Sequence, residues 1–205
     1  MRVFVVMILL LAAQSIEAQV QLGKIRSYFR SDPFRTSFGT FVSHLVNDPD
    51  LSEKTMKRKS DTSLFYFSGT YSKFNPFFLT PKKLDVILEE IPVSLSDTLA
   101  SDTIYAYELA AIVDDSDAGR KQIKKEFERV HKLAKSQFPS FKHSELENLE
   151  NGEAYNYFSP HHELAPFTIL KYEMPAEKAI CLVLIMRLKP INNESRLPYG
   201  LLESN

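Results

Sequence analysis

The sequence predicts an α+β fold, a mostly antiparallel sheet of about four to six strands packed against two amphipathic helices. Three observations carry that expectation. Apolar residues recur at helical spacing in two separate stretches, one near residues 33–47 and one between Ile123 and Ala134. Runs rich in aromatic and β-branched residues lie around them. The second helix falls between two blocks of such runs, which is the order of an α+β domain.

The first eighteen residues read as a secretory signal peptide. Arg2 precedes an apolar run from Val3 to Ala13, and Ile16-Glu17-Ala18 ends the stretch, so cleavage is expected after Ala18. The run is too short to cross a bilayer and no stop-transfer pattern follows it. A secreted or periplasmic location is therefore expected, with no transmembrane span in the mature chain. Residues 19–205 are expected to form one domain with a polar tail from about residue 190.

In the first helical stretch Phe34, Phe38, Phe41, Val42 and Leu45 share a face. Ser31 or Asp32 supplies a cap with Pro33 in the first turn, and Asn47-Asp48-Pro49 stops the helix. The charged stretch from Ser52 to Lys59 reads as a solvated loop or short helix. Ser63 to Ser72 alternates as a strand does, with aromatic richness. Residues 80–95 fit either period, and charge decides between them. As a helix the stretch would place Lys82 and Lys83 at its positive end and Glu89 and Glu90 at its negative end, against the macrodipole; it is read as a strand.

Thr103 to Val113 is a further strand that runs into Asp114-Asp115-Ser116-Asp117, a set of helix caps. Ile123, Phe127, Val130 and Ala134 then form the apolar stripe of the clearest helix, with basic and acidic residues on its other face. Ser144 to Gly152 is an acidic loop. Phe167 to Tyr172 and Lys178 to Leu188 form a hairpin around Pro175 and Ala176.

Composition narrows the function. Losing Arg2 and Glu17 with the leader removes one charge of each sign from 25 basic and 26 acidic residues, so the net charge stays at −1. Such a chain has no field to gather polyanions, and nucleic acid is not expected as a partner. The single cysteine, Cys181, lies in an apolar run and permits no internal disulfide; a buried, inert thiol is expected. A staple-free exported chain suits the bacterial envelope. Asn193-Glu194-Ser195 is a formal glycosylation acceptor.

No Gly-x-Ser-x-Gly elbow, Ser-x-x-Lys or phosphate-cradling loop occurs, and no cofactor is expected. Two clusters remain. Tyr66, Tyr71, Phe74, Asn75 and Phe77 belong to a ring-dense strand and loop able to form a stacking platform, and Tyr155 and Tyr157 begin a second segment of that kind. His161, His162 and Glu163, with His143 on a preceding loop, offer metal-ligating groups without the His-Glu-x-x-His spacing of a strong metal motif. Asp114, Asp115 and Asp117 serve as caps, since the Asp-x-Asp-x-Asp-Gly order of a calcium loop is absent.

These observations favour a non-catalytic module that binds a protein, peptide or glycan at the bacterial cell envelope. One rival is a secreted hydrolase or metal-dependent enzyme centred on His161, His162 and Glu163. The other is a structural subunit of a surface assembly.

Overall fold

The computed structural model describes residues 27–30, 38–59, 64–94, 101–137, 141–158, 165 and 167–188. The expected leader over residues 1–18, the cap at Ser31 or Asp32 with Pro33, the cluster His161-His162-Glu163, Asn193 and the tail from about residue 190 lie outside them. In chain order the described residues form helix α1 (Phe38–Val46), strands β1 (Leu51–Lys59), β2 (Leu64–Tyr71), β3 (Lys83–Ser94) and β4 (Ser101–Asp114), and helix α2 (Asp117–Gln137). Strands β5 (Lys142–His143), β6 (Glu147–Leu149), β7 (Gly152–Phe158), β8 (Phe167–Met174) and β9 (Ala179–Leu188) follow, with a 3-10 turn (Pro175–Glu177) between the last two.

The fold is α+β, and its sheet is larger than expected. Among the described residues nine strands, not four to six, run in the order β1-β2-β3-β4-β9-β8-β7-β5, with β6 also paired to β7. Every pair is antiparallel. The shortfall arises at the edges, where a strand buries only one face and loses its apolar run. Residues 51–59 form edge strand β1 rather than a loop or short helix: Leu51 and Met56 turn inward opposite Tyr71 and Phe67 while Glu53, Lys54 and Lys57 remain exposed. A bulge between Ser52 and Thr55, with Glu53 at φ 51°, further discourages another chain from pairing there. Residues 155–158 likewise belong to β7 and not to a loop.

The acidic stretch Ser144 to Gly152, expected as a loop, contains the short strand β6, while the other elements expected over described residues form. Strand β3 is the outcome that the charge argument favoured, and it pairs with β4 from Lys83↔Ile112 to Ser94↔Ser101. Strands β8 and β9 form the expected hairpin, closed where Lys178 adopts the left-handed conformation (φ 50°). Helix α2 begins where Ser116 Oγ accepts the Gly119 N–H at 3.1 Å, an N-terminal cap. Glycine is required at 119, because a Cβ there would stand 2.2 Å from the Asp114 carbonyl oxygen. Asp114 and Asp115 are taken by Lys82 and Arg120, at 3.0 and 2.7 Å.

Both helices cover the same face of the sheet. Ile123, Phe127, Val130 and Ala134 of α2 and Phe41, Val42 and Leu45 of α1 join Val86, Leu88, Tyr107, Leu109, Leu184 and Ile169 in the main core. Phe41 meets Tyr107 edge-on, with ring centroids 5.2 Å apart. On the opposite face Ala106, Cys181, Val183 and Ile185 form a smaller cluster, and no described helix lies over it. Burial pushes the Cys181 thiol up to about 12, so at neutral pH it is an unreactive packing group. Among the described residues no helix is long and apolar enough to cross a membrane.

Candidate functional site

The ring-dense segment is divided by the sheet. Tyr71 and Phe77 are buried in the main core. Tyr66 lies on the other face, paired with Glu89 across β2 and β3 and lying 5.3 Å from the Lys57 ammonium. Phe74 packs edge-on against Tyr71 with the Arg30 guanidinium 5.7 Å from its ring centre. Asn75 is consumed by its own turn: its carbonyl oxygen accepts the Phe77 N–H at 3.0 Å and its amide donates to the Leu79 carbonyl at 2.8 Å. The ring this turn leaves outside is the last of the expected aromatic segment, Tyr66 to Phe78. Phe78 is 82% exposed.

Phe78 is held from behind by helix α2. Glu126 is buried, and its carboxylate accepts the Phe78 N–H and the Tyr28 hydroxyl, each at 3.3 Å, and Arg129 Nε at 2.8 Å. Arg129 also donates to the Tyr28 hydroxyl, and its guanidinium lies 4.1 Å from the Phe78 ring centre. A buried acid is tolerated only when several donors replace its water, and here backbone, phenol and guanidinium all do so. The same interactions fix the backbone that displays Phe78.

The opposite flank of α2 carries a second constellation. Arg120, Lys124, Phe127 and His131 recur at spacings of four and three, so they share a stripe facing β7 and β8. The stripe borders an open groove of about 450 Å³, walled on the sheet side by Gly152, Glu153, Lys171 and Glu173. Its charges neutralise one another: Arg120 meets Glu173 at 2.6 Å and Lys171 meets Glu153 at 2.9 Å. Further along the stripe Tyr155 stacks on Phe127 (5.2 Å, 24°) and on His131 (3.7 Å, 21°). The Tyr157 hydroxyl lies 2.7 Å from His131 Nδ1 and donates to the His131 carbonyl oxygen at 3.0 Å. His143 completes the group, 6.0 Å from His131 and 6.2 Å from Tyr157 between ring centres.

Electrostatics there favour uncharged rings. Burial pushes His131 below the usual imidazole range, His143, Lys135 and Lys132 add to that, and Glu128 opposes it. Burial raises the Tyr157 phenol, which therefore stays protonated at physiological pH. The cluster places the His131 ring next to stacked rings. Among the described residues no three His, Cys, Asp or Glu side chains converge as a metal group.

Of the expected site residues the structure brings together His143, Tyr155 and Tyr157, and keeps Tyr66, Tyr71, Phe74, Asn75 and Phe77 elsewhere. Two contributors were not expected, Glu126 and His131. A signal for Glu126 was present, an acid three residues after Ile123 and four before Val130 and thus inside the buried stripe. Compared with protein-family models, curated proteins and solved structures, the chain matches none, so the reading of its site rests on its own geometry.

Proposed function

We propose that the chain is a non-catalytic binding module that docks a protein partner at the cell envelope through the loop between β2 and β3, with Phe78 as the anchor. The observation that supports this is the contrast between the side chain and the backbone of Phe78. The ring is 82% exposed while its N–H is held by buried Glu126 and its loop by the Asn75 turn. A ring displayed on a fixed backbone enters a partner's pocket with little further loss of entropy, which is how aromatic anchors come to dominate interfaces. The Arg129 guanidinium beside it supplies hydrogen-bond donors at the rim. The envelope location rests on the leader pattern of residues 1–18.

The test places a photo-crosslinking residue at position 78 in the producing cell and, as a control, at Lys121, exposed on the first turns of α2. One discrete adduct at 78, missing at 121, is the expected result. Identical adducts at both positions, or none at 78, would reject docking through this loop. An adduct to a second copy of the chain would transfer the assignment to the surface-assembly reading.

A further inference from the structure

We propose that His131 and His143 form a two-histidine site for a borderline transition-metal ion, held open to solvent at the β5 edge of the sheet. The case begins with the proton on His131. Tyr157 has one hydroxyl proton, and it goes to the His131 carbonyl oxygen at 3.0 Å. With the proton placed there, Nδ1 is assigned as the donor in its 2.7 Å contact with the same hydroxyl oxygen, the tautomer that satisfies both contacts. The lone pair is left on Nε2. A histidine whose second nitrogen is fixed by a neighbouring oxygen is the usual form of a metal ligand, because that bond sets both tautomer and ring orientation. Stacking on Tyr155 at 3.7 Å holds the ring from its face.

His143 supplies the second ligand. With metal–nitrogen bonds of about 2.0–2.1 Å, an ion lies about 3.2 Å from each imidazole centre, so two rings sharing one ion stand roughly 5–6.5 Å apart. The observed separation is 6.0 Å with planes at 62°. No hydrogen bond from the described residues ties the His143 ring, which is half-buried on a two-residue strand and thus has freedom to turn toward the ion. Two imidazoles with water in the remaining positions suit Cu²⁺ best among the divalent ions, followed by Ni²⁺ and Zn²⁺. His143 was an expected ligand, but its partner is a helical residue 12 positions earlier rather than the His161-His162-Glu163 cluster.

The experiment is a titration of the purified full chain with Cu²⁺, and separately with Zn²⁺, followed by calorimetry and by tyrosine emission, which no tryptophan masks. One equivalent of Cu²⁺ should bind, quench emission and give an electron-spin spectrum split by two imidazole nitrogens. His143→Ala should weaken binding by about tenfold or more while leaving the melting temperature of the metal-free protein unchanged. The double variant H161A/H162A should bind as the parent does. If the parent binds no stoichiometric Cu²⁺, or if His143→Ala binds as tightly as the parent, the proposal is overturned. Neither result bears on docking through Phe78.

Discussion

The two faces of the sheet treat polar groups differently. On the helix-covered face, a charge is buried only where it is saturated with partners, as Glu126 is by Tyr28, Arg129 and the Phe78 N–H. On the other face Glu108, Arg187 and Thr168 stand among Ala106, Val183 and Ile185 with a lighter set of contacts. Arg187 reaches the Ala165 carbonyl at 2.8 Å and Thr168 Oγ1 at 3.0 Å, while burial and the neighbouring Glu89 hold the Glu108 carboxyl above its usual range, with Arg187 opposing. The contrast shows what the helices contribute beyond area. Helix α2 seats Glu126 and Arg129 where Tyr28 and the Phe78 N–H join them, which makes an interior carboxylate a structural tie, whereas Glu108 on strand β4 remains a cost.

Substitutions that test this contrast rank by how completely each site is packed. Phe127→Ala empties a fully buried position beneath α2 and should lower stability by about 3–5 kcal/mol, read from urea midpoints. If the loss is below about 1 kcal/mol, α2 is not the cover it is taken to be. Glu126→Ala should cost about 2–3 kcal/mol, because it strands Tyr28 and the Phe78 N–H at once, although Arg129 recovers some solvent. Protease cutting within residues 72–82 should rise in the same variant; an unchanged cleavage rate there would break the link between the acid and the displayed ring.

Tyr157→Phe removes one buried hydroxyl and should cost about 1 kcal/mol by thermal melting, with the His131 resonances shifting in the spectrum of the variant. Glu108→Gln should give the smallest change and the only one of opposite sign. The folded pKa of Glu108 is raised above its ordinary value of 4.5, so its contribution is intact below pH 4.5 and is lost as the pH rises through the folded pKa. Glutamine escapes that loss. The variant should match the parent in urea at pH 4 and exceed it at pH 7, and equal midpoints at both values would place the carboxyl in water.

How much of this was legible in the sequence follows the same division. Helix α2 and the β8–β9 hairpin were readable because each buries a whole stripe or run, and burial is what leaves a periodic trace; β3 fits either period and was readable only from its charges. Strand β1 was not, since Leu51 and Met56 are diluted by Glu53, Lys54 and Lys57. Strands β5 and β6 are too short to carry a period. At the site, His143, Tyr155 and Tyr157 were legible as residue types able to do chemistry. His131 was hidden in a stretch of charged residues that reads as solvent-facing, because its meaning comes from Tyr155 and Tyr157 more than twenty positions later. Phe78 could not be told from its buried neighbours, since the Asn75 turn alone decides which ring faces out.

The sheet consists of two runs joined along one seam, β4 against β9, where Tyr105 faces Leu188 and Asp114 faces Ala179. Each run is built from neighbours in the chain apart from the short β5, whereas the seam spans the whole of α2 and β5 to β8. Until β9 has been synthesised, β4 is an unsatisfied edge carrying Ile104, Tyr105, Tyr107, Leu109 and Val113, and it has neither the lysines nor the bulge that shield β1. The costly moment in the life of this chain is therefore the interval before its final strand arrives. A truncation before Ala179 removes the partner of the sheet's central strand, and the expected product is an aggregate rather than a smaller folded protein.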